Sequence, residues 1–377
     1  MAFIRHIPPA MAGGHLAEVY RDIRRDVPRV PNLMQVFSLR PETMEGVHQS
    51  WLSMMWTGRV PRRTKELVAV AVSKAASSDY CVDAHMVFLL ATGMRPEQGY
   101  AVADGIPDAE GLDDRDRALL RYATRMTADP RSVTTADSLL FAKAWPDLEE
   151  RVELIATIAA FNGLARVANA LGVANEIPIL VRRFQTSRRS AIALLSRLTS
   201  LSIDLEEKSV VARTPEANRA GLSELFLDRL GFGSTPPGFE MLEACPEIFD
   251  GQLRTMRSAV AVMPRDRWTR IGLVVGRLTG CDYLATCCAD WLVQRGERPA
   301  DVIAASEGAP VSLADVDVEA VSLRFARDFT LHSHTIDASR IQELRGVGLS
   351  DGAILDLAFV TGTLNGMARL SLGLAPA

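Results

Sequence analysis

An all-α fold is what this sequence predicts, on three observations. RTKELVAVAVSKA, DRDRALLRYATRMTA and ERVELIATIAAFNGLARVANAL each carry apolar residues at helical spacing. Strict apolar and polar alternation over six or more residues, the mark of a half-buried strand, is hard to find. Glycine and proline fall mostly between the periodic stretches, where helices stop and start. Of 377 residues, 48% are hydrophobic and 23% charged, a balance that supports about two or three globular domains.

Along the chain, the N-terminal MAFIRHIPPAMAGG lacks the apolar core of a signal peptide. No stretch reaches the roughly 18 uncharged apolar residues of a spanning helix. A cytoplasmic location is the default expectation. The net charge of −4 gives no reason to expect a nucleic acid or a membrane as partner. The turn residues of VPRVPNLMQVF head a first helical unit. Pro61 suits the first position of a helix, which RRTKELVAVAVSKAA carries to about residue 76. Ser77, Ser78 and Asp79 are all N-cap types, so a second helix starts there with Cys81 in its first turn.

The chain then repeats itself at a constant offset of 203 residues. VPRR at 60–63 returns as MPRD at 263–266, and Asp79-Tyr80 as Asp282-Tyr283. Gly93, Arg95 and Pro96 return as Gly296, Arg298 and Pro299. LLRYA at 119–123 matches SLRFA, and NGLAR at 162–166 matches NGMAR. The period is too long for a solenoid and predicts two copies of one helical domain. The expected division is 1–181, a connecting helical segment at 182–225, and a second copy at 226–377. The arginines of RRFQTSRRS, which open the connecting segment, are expected on a solvated face.

Five cysteines, Cys81, Cys245, Cys281, Cys287 and Cys288, make an odd count that argues against a disulfide framework. No CxxC pair exists, so structural zinc is not expected, and no metal or cofactor is assigned. His332 and His334 are expected at the surface. Gly-Phe-Gly at 231–233 and Gly-Val-Gly at 346–348 are too short for phosphate loops. His85 stands four residues after Cys81, on the same helical face. A thiol at a helix N-terminus beside an imidazole loses its proton more readily than a free one. Asp79 works against that, because a nearby carboxylate disfavours a thiolate. Glu66 lies on the preceding helix, and an antiparallel hairpin would bring it to His85. Carboxylate, imidazole and thiol in that order form a general nucleophile-activating arrangement. The plainer reading makes Glu66 a surface charge and Cys81 a small buried residue.

The segment from Pro61 to Gly93 resembles the core motif of the alkylhydroperoxidase-D and carboxymuconolactone decarboxylase family. The redox branch of that family spaces a Glu, a Cys twelve residues on, a second Cys three further and a His four further. Counted from Glu66, those positions hold Ser78, Cys81 and His85. Tyr80 beside the cysteine fits as well. VPNLMQVFSLRPE at 30–42 and FNGLARVANALGV resemble the peroxidase-related members in particular. The resemblance covers nearly all of 15–175 and repeats more weakly over 226–374. It implies two tandem alkylhydroperoxidase-D-like helical domains. It implies that Cys81 attacks peroxide, that His85 is its base or relay, and that Glu66 orients the imidazole. Family members form trimers or hexamers, so a homo-oligomer is expected: a trimer of this fused chain, or a dimer.

Ser78 departs from the pattern. A hydroxyl cannot close a disulfide with a sulfenic acid. Either an external thiol reductant or another cysteine of the chain resolves Cys81, or the site does not reduce peroxide. Capping of the helix is the plainer role for Ser78. The second copy holds Cys281, Leu284 and Cys288 where the two cysteines and the histidine would stand, and Thr269 where the glutamate would. It is expected to be structural. The sharper alternative places Cys281 opposite Cys81 as the missing thiol. Cys281 and Cys288, two helical turns or about 10 Å apart, are too distant to bridge. Asn162 and Arg166 recur as Asn365 and Arg369, which points to a structural contact, with a pocket role for Asn162 as the alternative.

Three functions follow. One is a peroxidase-related thiol oxidoreductase with an antioxidant role, acting on a small peroxide. The second is a decarboxylase-like acid/base enzyme on a small organic acid or lactone. In that reading His85 is the acid or base, and Arg62, Arg63 and Arg95 are candidates to hold the anion. The third is a non-catalytic helical scaffold or ligand-binding protein.

Overall fold

The computed structural model describes residues 2–106, 108–202, 205, 213–309 and 316–375. Among them there is no strand. The first copy runs α1 (Gly14–Asp26), α2 (Asn32–Val36), α3 (Pro41–Trp56), α4 (Arg62–Ala75), α5 (Asp79–Ala91), α6 (Pro96–Ala103), α7 (Asp114–Ala128), α8 (Thr135–Ala144) and α9 (Leu148–Ala170). The connecting segment forms α10 (Ile179–Arg182), α11 (Gln185–Ser202) and α12 (Pro215–Ser223). The second copy runs α13 (Pro246–Ala261), α14 (Arg265–Thr279), α15 (Asp282–Gln294), α16 (Pro299–Ser306), α17 (Val316–His332), α18 (Ala338–Gly346) and α19 (Asp351–Leu374).

Helices α4 to α9 recur as α14 to α19 at the offset of 203, each end to within one residue. The reasons are local and repeat as well. Proline precedes α4 and α14, as Pro61 and Pro264, each at the cap rather than inside the helix. A side chain caps α9 and α19: Asp147 accepts from the Glu150 amide, and Ser350 from that of Ala353.

The copies meet along α9 and α19, the two most buried long helices. Glycines set their distance. A Cβ on Gly163 would lie 2.7 Å from the Gly362 carbonyl oxygen, and one on Gly362 would lie 2.7 Å from Val167 Cγ2. Paired polar groups hold the seam. Asn162 Nδ2 donates to Thr127 Oγ1 and Asn365 Nδ2 to Thr330 Oγ1, each at 3.0 Å. Arg166 and Arg369 then cross between the copies, to the carbonyls of Thr330 and Met126. A second contact joins α3 to α13.

Arg183 and Arg189 of RRFQTSRRS lie toward solvent as expected, but Arg182 and Arg188 do not. Arg182 Nε and Arg188 Nε donate to the two oxygens of buried Asp83, at 2.9 and 2.7 Å. They bind α11 against α5. His332 and His334 are exposed at the end of α17. Among the described residues, no single helix is long and apolar enough to cross a membrane.

Candidate active site

The site grows from the α4–α5 hairpin. Ser77 turns the chain with φ of +56°, a left-handed conformation rare outside glycine. The Ser78 amide then donates back to Ser73 O at 2.8 Å, closing the turn. Folded so, α5 runs back along α4, and His85 Nδ1 meets Glu66 Oε2 at 2.7 Å. Arg62, one turn before Glu66, donates from Nε to Glu66 Oε1 at 2.7 Å. Its guanidinium lies 3.7 Å from the centre of the Trp56 ring, a cation–π contact. Glu66 has no exposed surface, so it is not a surface charge.

The electrostatics follow from that geometry. Burial alone would raise the Glu66 carboxyl. The charges and hydrogen bonds of Arg62 and His85 outweigh it and hold the carboxyl below its ordinary value. Glu66 is therefore an anion that accepts a proton donor on each oxygen. That fixes His85 as the Nδ1–H tautomer and leaves Nε2 as the atom able to take or give a proton. The Phe161 ring meets the imidazole edge-on at 4.5 Å and holds its plane.

Cys81 and His85 line one cavity of about 70 Å³, with Trp51, Phe88 and Phe161 among its walls. Cys81 is 2% exposed. Burial pushes its thiol up to about 12, against the Ser78 and Ser73 hydroxyls, which lower it. The readier ionisation expected of a thiol at a helix start is overturned, because desolvation exceeds the help of the helix end. Asp79 is not the opposing carboxylate either. It is exposed and pairs with Arg182, while partly buried Glu176 is the acid that acts on the thiol. Ser78 occupies the N-cap position of α5, yet its side chain makes no capping bond. The capping role expected of it is corrected. Its hydroxyl and that of Ser73 are buried, face the sulfur, and have no full hydrogen-bond partner.

The other expected residues fall in two groups. Tyr80 belongs to the site's wall: its hydroxyl donates to Glu176 Oε1 at 3.0 Å and accepts from the Leu33 amide at 3.1 Å. Asn162 does not line the cavity; it is the seam residue described above. Arg63 binds Asp116 and Arg95 binds Gln98, and neither lines the cavity of Cys81 and His85. Arg62 was placed among anion binders by its charge alone, yet its partner is Glu66. Phe161 and Glu176 went unseen, being distant in sequence with no local motif. The one available signal was FNGLARVANA, whose apolar face already had to meet α4 and α5.

The second copy offers none of this. Thr269 is buried and donates to the Arg265 carbonyl. Cys288 has no exposed surface, and burial raises its thiol well above the ordinary value. A Cβ on Gly272 would lie 2.7 Å from Cys288 Sγ, and one on Gly276 would lie 2.6 Å from the Ala285 amide nitrogen. In the first copy these positions are Ala69 and Ser73. All five cysteines are free, and Cys81 is the one cysteine among the described residues that lines its cavity.

Residues 41–125 match the carboxymuconolactone decarboxylase family. The chain is 28% identical over 200 residues to a Mycobacterium tuberculosis protein named alkyl hydroperoxide reductase. That match spans 52% of this chain and 54% of the relative, about half of each. Two solved structures are similar. A peroxidase-related protein with an alkylhydroperoxidase core, from Ralstonia eutropha, is 24% identical with a TM-score of 0.42, over 46% of this chain and 92% of its own. A peroxidase-related protein from a Silicibacter species is 21% identical with a TM-score of 0.39, over 42% and 83%.

Proposed function

We propose that the first copy is an alkylhydroperoxidase-like thiol oxidoreductase with one redox cysteine, Cys81. The observation that carries this is the buried Arg62–Glu66–His85 chain, ending at a cavity that Cys81 also lines. The mycobacterial relative's name and the family match at residues 41–125 support it.

The chemistry is a displacement on oxygen. Because the thiol rests protonated, His85 Nε2 takes its proton as the sulfur attacks the outer peroxide oxygen. The O–O bond breaks, the proton passes to the departing alkoxide, and the products are an alcohol and the Cys81 sulfenic acid. Ser73 and Ser78 supply the unpartnered hydroxyls that bond the new oxygen. With no cysteine at position 78, an external thiol condenses with the sulfenic acid and releases water. A second external thiol displaces it as a disulfide and restores Cys81.

Intact mass after one equivalent of an organic peroxide tests the reading. Gain of one oxygen at Cys81 is expected, and an unmodified Cys81 in folded protein overturns it. A second reading has its own observation, the thiol's rise to about 12. Under it, His85 and Glu66 act alone as acid and base on a small organic acid or lactone. Cys81→Ser would leave that activity largely intact and abolish peroxide reduction.

A further inference from the structure

A second cavity of about 280 Å³ lies against the first. The two share Val27 and Pro31 on one side, and Tyr80, Ala84 and Phe88, successive turns of one face of α5, on the other. On that face of α5, only the Ala84 methyl stands between the Tyr80 and Phe88 rings. The far wall is not built from the first copy. It is Leu195, Leu198 and Thr199 of α11, the connecting helix. Val87, Phe88 and Ile177 complete a largely apolar lining. Its charges are already engaged: Asp83 by Arg182 and Arg188, Glu176 by Tyr80 and the Asn32 amide, and Arg29 by Glu176 Oε1 at 3.8 Å.

We infer that this chamber binds the uncharged apolar tail of the substrate, with Ala84 as the aperture toward Cys81 and α11 as the specificity wall. The class is an alkyl or aryl hydroperoxide. The identity of the reacting group rests on the function proposed above; the binding of an apolar tail does not. A short or charged peroxide gains nothing from the chamber, since burial of apolar area is what it offers.

The aperture and the wall are testable apart from the chemistry. 2-Phenyl-2-propanol, the uncharged alcohol product of cumene hydroperoxide, is titrated by calorimetry into the full chain and into Leu195→Trp, with circular dichroism to establish folding. Saturable binding at one site, weakened at least tenfold by the tryptophan, is expected. No binding to the parent chain, or equal binding by folded Leu195→Trp, overturns the chamber. Ala84→Phe is then compared with the parent for Cys81 oxidation by cumene hydroperoxide and by hydrogen peroxide. The aperture predicts a loss with the former at least tenfold larger than any loss with the latter, which also has to enter the cavity that Ala84 lines. Equal losses overturn the aperture. Probe binding without oxidation of Cys81 by either peroxide leaves the chamber standing and removes the thiol chemistry instead.

Discussion

The two copies keep the same helices to within one residue at each end, yet only the first keeps an acid, a base and a thiol around a cavity. The difference lies in a few side chains of one hairpin. In α4, Ala69 and Ser73 face α5; in α14 their equivalents are Gly272 and Gly276, against which Cys288 and Ala285 pack closely. Thr269 returns its hydroxyl to its own helix, where Glu66 reaches across. A helical scaffold is maintained by its apolar periodicity and its seam. A site needs space and an uncompensated charge, and both are lost without cost to the scaffold.

The largest expected effect sets one copy directly against the other. Cys81→Ser abolishes peroxide-dependent oxidation, while Cys281→Ser and Cys288→Ser leave its rate unchanged, all read by intact mass. His85→Ala slows oxidation by about 10²–10⁴-fold, the usual worth of a positioned acid or base. Thr269→Glu with Leu284→Cys and Cys288→His gains nothing, because position 288 packs so closely on Gly272 that no room is left for an imidazole. Activity appearing in the second copy would break the comparison.

Next is the charge pair that the second copy dispensed with. Glu66→Gln strands the buried Arg62 guanidinium, and denaturant melts at neutral pH should show a loss of about 3–5 kcal/mol. The sign with pH is fixed. The Glu66 carboxyl is held below its ordinary 4.5, so its stabilisation is present above that value and lost as pH falls through the lower folded value. The gap between parent and variant should therefore narrow in acid. A gap independent of pH would mean that the carboxylate's charge is not what stabilises the hairpin.

The seam, by contrast, is shared, and damage there should affect both copies at once. Gly163→Ala would drive a methyl onto a backbone carbonyl, which cannot rotate away as a side chain can. A loss of about 1–3 kcal/mol is expected, with both halves melting together. Gly346→Ala, with open space around it, is the matched control and should be neutral or slightly stabilising.

Much of this was legible in the sequence because it is local. Helical periodicity gives α4, α7 and α9, and gapless matches at one offset give the duplication. Spacing puts His85 one turn from Cys81, and the resemblance adds Glu66 twelve residues before Ser78. What escaped was set by burial. The thiol's high pKa, the idle Ser78 hydroxyl and the Arg62 clamp depend on which atoms water cannot reach. Arg182 and Arg188 of RRFQTSRRS read as solvated because their partner, Asp83, is a hundred residues away. No pattern of neighbours could have joined them.

The smallest effect expected is also the most specific to the hairpin. Ser77 and Gly280 occupy the same turn in the two copies, both left-handed, with φ of +56° and +73°. A serine there carries strain of roughly 1 kcal/mol that a glycine does not. Glycine in turn makes the unfolded chain more mobile, which removes about half of the gain. Ser77→Gly should thus stabilise the protein by only about 0.5 kcal/mol, a small upward shift in Tm. The reverse change in the second copy costs more, since a Cβ on Gly280 would lie 2.6 Å from Arg131 Cγ and has to push that side chain aside. If Ser77→Gly instead destabilised the fold, the serine would be making a contact worth more than its strain. The two hairpins would then differ at their turn as well as at their site.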